Sequence, residues 1–168
     1  AISISLLSLL SKNDHCLISD CSYYPTKKFA YEILYKFGIK IDFYDPKNLK
    51  TLKKKINKKT KIIFMESPAS LTFEIEDISE IVKIAKKKKI ITIIDNSWAT
   101  PLYFEPINNG IDVSILAATK YISGHADVML GLITVKNEKM YLKIKNTAVN
   151  LGDCPSPNEC YLTLRGLR

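Results

Sequence analysis

The chain has 168 residues, 46% hydrophobic and 25% charged, which supports one packed core and excludes a disordered or low-complexity chain. No apolar run reaches the ~18 residues of a membrane span, and the opening AISISLLSLLSKNDH has neither a basic leader nor a small-residue cleavage site, so no membrane association or signal peptide is expected. The net charge of +8 admits a nucleic-acid partner, but Lys falls in runs at 53–55, 58–59 and 86–89, near the ends of predicted helices and without interleaved aromatics. These runs read as solvated surface, and no nucleic-acid partner is expected. Cys16, Cys21, Cys154 and Cys160 form no C-x-x-C pair, and His15 and His125 are the only imidazoles, so no metal site is expected. The cysteines read as small buried hydrophobes of a reducing, cytoplasmic protein. The chain starts without Met and is expected to begin partway through a longer protein.

Taken in order, HCLISD (15–20) predicts a strand. Phe29, Ala30, Ile33, Leu34 and Phe37 share a helical face, with Gly38 as the stop. IKIDFYD (39–45) predicts a second strand, and a Lys-rich helix anchored by Leu49, Leu52 and Ile56 follows. KIIFMES (61–67) is apolar almost throughout, as in a strand covered on both faces. Asp77 opens a helix with Glu80 three residues on, and Ile78, Ile81, Val82 and Ala85 form its buried stripe. IITIID (90–95), DVSILAA (112–118) and GLITVK (131–136) predict three more strands. The segment from Met140 on is helical in pattern, interrupted by GDCPSPNE.

Strands alternating with helices, without an internal repeat, predict an α/β fold with a mostly parallel, doubly wound sheet. Ligands of such folds bind beyond the carboxyl ends of the strands. Tyr23, Tyr24, Glu66, Ser67, residues 95–98, Thr119 and Lys120 all lie just past predicted strand ends. If the strands ending at Asp95 and before Lys120 are neighbours, an acid and an amine face one crevice. Two readings follow. One is a buried ion pair. The other is a pyridoxal phosphate site, where a Lys holds the aldehyde as a Schiff base and a carboxylate favours the protonated pyridine.

IIDNSWATPLYFEPINNGIDVSILAATKYISGHADVMLG carries the ordered elements D-N-[ST]-W-A and A-T-K-Y-x-x-G-H-x-D. With ESPASLTFEIEDI, it resembles the Cys/Met metabolism family of pyridoxal phosphate enzymes, and within it the β-lyase branch. The resemblance runs from Ala1 to the closing LTLRGLR. It implies the large cofactor-binding domain of the aspartate aminotransferase-like (fold type I) architecture over residues 1–168. Lys120 would be the Schiff-base Lys and the base at the substrate Cα. Asp95 would pair with the pyridine nitrogen, and Thr119 would bind the phosphate. Tyr23, two residues before Pro25, would stack on the ring and assist proton transfer. Trp98 would line the substrate side. His125 and Asp127 would be scaffold.

The implied reaction is α,β-elimination of cystathionine to homocysteine, pyruvate and ammonia, in methionine biosynthesis. A γ-acting relative (cystathionine γ-synthase or γ-lyase) and an inactive truncated remnant are the alternatives. The implied partners are a small amino-acid thioether and, at full length, a homotetramer built from dimers. The chain departs from the family pattern at Ala117, where many members have Ser, at Ala126, where Ser or Gly is usual, and at Ser70, where many have Asn. Family members are also longer. The chain resembles their middle, without the upstream Gly loop, the subunit-crossing Tyr and Arg, or the C-terminal Arg that holds the substrate carboxylate. Weak or absent turnover is therefore expected of the isolated chain.

Overall fold

KIIFME lies inside a six-stranded sheet, and its alternate side chains serve two cores. The structure is a computed structural model and describes residues 1–168. The strands are β1 (His15–Ser19), β2 (Lys40–Tyr44), β3 (Thr60–Glu66), β4 (Ile91–Asp95), β5 (Val113–Ala117) and β6 (Gly131–Val135). Their order is β2-β1-β3-β4-β5-β6. Each predicted strand is present, with ends displaced by no more than a residue.

The first five strands run parallel, and β6 returns antiparallel to β5. A parallel return needs a crossover long enough to recross the sheet, usually a helix. The segment between β5 and β6 consists of turns and irregular loop with no helix, so the chain doubles back. The fold is thus α/β with a mostly parallel sheet, as the alternation of elements predicts.

Ile62 and Phe64 of β3 face one core with Leu6, Ile18, Leu34 and Ile93. Ile63 and Met65 face the other, with Leu52, Ile81, Ala85 and Ile94. The second core is closed by α3 (Leu49–Lys55) and α4 (Ile78–Lys88), whose N-caps Asn48 and Asp77 accept backbone N–H bonds from Lys50 and Glu80. Basic residues fill the last turn of both helices, as the macrodipole favours. A one-turn α5 (Thr100–Tyr103) follows β4. The first core is covered by α1 (Ile2–Leu9), an element not announced by the sequence pattern, and by α6 (Glu138–Asn150) through Ile144.

Two expectations are corrected. Residues 29–37 are not one amphipathic α-helix. A short α2 (Tyr24–Phe29) passes into a π-helical stretch (Ala30–Leu34) and a 3₁₀ turn (Tyr35–Phe37), ending at Gly38 with φ 73°. The wider turn rotates the following side chains. Ala30 and Leu34 stay buried, Ile33 and Phe37 turn outward, and Tyr31 packs on Phe43 at a ring separation of 5.0 Å. The cysteines also divide: Cys16 is buried and Cys21 half-buried, but Cys154 and Cys160 are exposed because the loop and helix after α6 lie on the surface. All four are free thiols.

The last helix, α7 (Pro157–Leu167), starts at a capping box formed by Ser156 and Glu159. Arg165 of α7 bonds Asp127 at 2.7 Å. At Gly166 the helix lies so close to the turn after Lys120 that a methyl group would collide with the carbonyl oxygens of Ile122 and Ser123. No helix is long and apolar enough to cross a membrane.

Candidate active site

The carboxyl ends of β1, β3, β4 and β5 meet at one cleft of about 630 Å³, whose lining includes Tyr23, Glu66, Ser70, Asp95, Ser97, Trp98, Lys120 and Tyr121. Asp95 is the last residue of β4, and Lys120 follows β5 by three positions. Because β4 and β5 are hydrogen-bonded neighbours, acid and amine do face one crevice.

They do not form an ion pair. No carboxylate lies within 4 Å of the Lys120 amine, which is exposed on the cleft. Asp95 is 8% exposed, and its Oδ1 accepts bonds from the Ser97 backbone N–H at 3.0 Å and the Ser97 hydroxyl at 2.6 Å. Oδ2 accepts none within the protein, although Asp95 lines the cleft. Burial pushes the Asp95 carboxyl above its ordinary range, against the opposing effect of the Ser97 bonds. Ser97 in turn accepts the Ala117 N–H at 2.8 Å, so one hydroxyl ties the β4 carboxylate to the end of β5.

Tyr23 is the N-cap of α2 and lies on the cleft, 49% exposed. Tyr24 points elsewhere, into a surface groove beside Lys28 and Phe43. Trp98 is at the cleft edge, with Tyr121 5.6 Å away in a tilted stack and Phe73 5.3 Å away edge-on. Phe73 reaches it from a loop in which Leu71 and Phe73 both take positive φ, 65° and 57°. Such strain in non-Gly residues concentrates at functional sites.

Of the residues given a cofactor or substrate role, Thr119 is the one not on this cleft. It borders an adjoining depression shared with Lys120, Gly124 and Ala126. Its hydroxyl accepts the Leu130 N–H at 2.9 Å and donates to the Leu130 carbonyl at 3.3 Å. The ring of His125 bonds the Ser123 carbonyl, and Asp127 is tied to Arg165.

In the sequence Glu66 lies beyond a strand end without an assigned role, and neither Tyr121 nor Glu76 stands out. Glu66 is paired in register with Asp95 across β3 and β4. Behind it, the buried Glu76 accepts the Glu66 N–H at 3.0 Å and the Tyr44 hydroxyl at 2.6 Å. Burial raises the Glu76 carboxyl to about 7. Polar residues in the apolar-framed segment ESPASLTFEIED were the available signal. Cys21 is no rival nucleophile, because burial lifts its thiol to about 11.

The donor set suits pyridoxal phosphate. An unpaired amine, a buried carboxylate with an uncommitted oxygen and an aromatic ring converge on a cleft wide enough for a flat heterocycle. The family model for Cys/Met metabolism PLP-dependent enzymes matches residues 1–168, and the chain belongs to this family, whose cofactor is pyridoxal phosphate. The individual relatives divide by activity. The chain is 42% identical to a putative cystathionine beta-lyase of Saccharomyces cerevisiae, over 100% of its own length and 49% of that protein. It is also 42% identical to the L-alanine/L-glutamate racemase of Wolbachia pipientis, covering 41% of it. The crystal structure of cystathionine gamma-lyase from Lactobacillus plantarum, complexed with L-serine, superposes with a TM-score of 0.92 at 29% identity, over 99% of this chain and 44% of that one. The chain therefore spans about half the length of the curated relatives it matches.

Proposed function

We propose that the chain carries the cofactor cleft of a carbon–sulfur lyase that eliminates the thiol from the β-carbon of cystathionine or a similar amino-acid thioether. The observation that supports this most is the unpaired juxtaposition of Asp95 and Lys120 on one cleft. A structural ion pair would have brought them together. When bound, pyridoxal phosphate supplies an aldehyde for amine capture and a protonated ring that accepts the electron pair released at the substrate Cα.

The chain's own groups do the rest. Lys120 Nζ would hold the cofactor aldehyde and is the amine on the cleft that would remove the substrate Cα proton. Asp95, whose Oδ1 is held by Ser97, would use its uncommitted carboxylate oxygen to keep the proton on the pyridine nitrogen. The Tyr23 ring, which lies on the cleft, would stack on the cofactor and assist proton transfer. Thr119, on the adjoining depression, would bind the phosphate with the hydroxyl that here donates a long 3.3 Å bond to the Leu130 carbonyl. Trp98, with Phe73 and Tyr121, forms the apolar wall on the substrate side, where aromatic edges favour a polarisable sulfur. The full-length enzyme would work in the cytoplasm as a homotetramer, a dimer of dimers, within methionine biosynthesis.

A second reading has an observation of its own, the 42% identity to a racemase. A racemase needs the same Cα proton removal, followed by its return instead of departure of a leaving group. Products separate these readings. Cystathionine incubated with the protein and pyridoxal phosphate gives pyruvate, ammonia and homocysteine by β-elimination, and 2-oxobutyrate by γ-elimination. Inversion of alanine or glutamate without keto-acid release identifies the racemase. The visible absorption band of the bound cofactor must vanish in Lys120→Ala; a band that survives removes Lys120 from its assigned role.

A further inference from the structure

Two carboxylates stand in register at the floor of the cleft, but they are bonded differently. Asp95 leaves Oδ2 without a protein partner, whereas both oxygens of Glu66 are engaged. Glu66 Oε2 accepts the Tyr23 backbone N–H at 2.7 Å, and Oε1 accepts the Ser70 hydroxyl at 2.5 Å. Tyr23 begins a short helix after β1, and Ser70 lies in the strained loop after β3. These segments are 43 and 4 residues from Glu66. Glu66 is itself fixed from behind, since its backbone N–H is held by Glu76.

We propose that Glu66 is a positioning residue of the cleft: one carboxylate oxygen holds the Tyr23 backbone and the other the Ser70 hydroxyl, so that ring and hydroxyl are presented together to the cofactor. This rests on the cofactor reading above. The carboxylate acts as a two-armed brace that transfers no proton and meets the cofactor only through Tyr23 and Ser70. A carboxylate suits the task because it offers two acceptors in one plane and competes with neither donor. An amide can do the same work, accepting the Tyr23 N–H through oxygen and donating to Ser70 Oγ through nitrogen. An alanine can do neither.

The test uses the chain's single Trp, Trp98, which lies on the cleft and reports ligand entry through its fluorescence. Pyridoxal phosphate is titrated into the wild-type chain and into Glu66→Ala, Glu66→Gln, Ser70→Ala and the Glu66→Ala/Ser70→Ala pair. Glu66→Ala is expected to weaken binding at least ~10-fold, the scale of losing a hydrogen bond to a charged acceptor. Glu66→Gln restores affinity to within about 3-fold of wild type. The double variant binds no more weakly than Glu66→Ala, because a Ser70 hydroxyl that has lost its Glu66 anchor is no longer held toward the cofactor.

Equal losses in Glu66→Ala and Glu66→Gln would assign the role to charge and overturn the brace. Additive losses in the pair, or wild-type affinity in Glu66→Ala, would also overturn it. Should Glu66→Ala fail to fold, Ser70→Ala decides, with unchanged affinity counting against the brace. A wild-type chain that gives no Trp98 response and no visible band refutes the cofactor reading itself. Binding in wild type without the Glu66 pattern refutes only the brace.

Discussion

Replacing Glu76 by Gln should make the protein's stability less sensitive to pH across the neutral range. Glu76 is 4% exposed, and burial raises its carboxyl from the ordinary 4.5 to about 7. Between those values the folded state keeps a proton that the unfolded chain has released. The carboxyl's contribution is therefore intact in acid and falls as pH rises from 4.5 towards 7. The full loss is about 3 kcal/mol, of which about 2.5 kcal/mol falls between roughly pH 5 and pH 8.

Gln cannot ionise, yet its oxygen can still accept the Glu66 N–H and its amide can donate to the Tyr44 hydroxyl, which burial keeps protonated. A pH-independent cost of about 1 kcal/mol is the most the exchange should bring. Urea unfolding of both proteins at several pH values gives the difference curve. This difference removes the effects of Asp95, raised by burial, and of His15, lowered by burial, both remote from Glu76. Glu76→Gln should gain about 2.5 kcal/mol on wild type between roughly pH 5 and pH 8. A flat difference curve, or a gain toward acid, refutes the assignment of a buried, late-ionising Glu76.

Three further outcomes are expected. In the full-length protein, Asp95→Asn should retain pyridoxal phosphate by its visible absorption while elimination, followed as pyruvate release, falls by at least ~10²-fold; unchanged turnover would remove Asp95 from the pyridine nitrogen. Ile63→Ala, in the fully buried part of β3, should cost about 2–5 kcal/mol in chemical unfolding, and a loss near zero would contradict the core described for that face. Gly166→Ala should cost about 1–3 kcal/mol through overpacking against the Ile122 and Ser123 carbonyls and should raise hydrogen exchange in α7; wild-type stability would show that α7 is not docked there.

The strands were legible because each is a short apolar run bounded by turn residues, and a run covered on both faces has little other way to fold. Helices α3 and α4 were legible from their spacing and caps. The helix after Tyr23 was misread because a π-helical stretch breaks the 3.6-residue period on which the reading depends, sending Ile33 and Phe37 to the surface. Helix α1 has apolar and Ser residues interspersed without a clear polar face, and its Ser5 and Ser8 are buried with its leucines, so no amphipathic stripe marks it.

Asp95, Lys120, Tyr23 and Trp98 could be placed on one cleft from the sequence because parallel strands put their carboxyl ends on one edge. Sequence alone thus determined the α/β class, the strand ends and the family. Tertiary structure alone decided what those side chains do with one another. It left Asp95 and Lys120 unpaired, turned the Thr119 hydroxyl to Leu130, and gave both oxygens of Glu66 to groups far apart in the chain. Such choices depend on distances of a few ångströms between segments brought together by the sheet, and no local pattern records them.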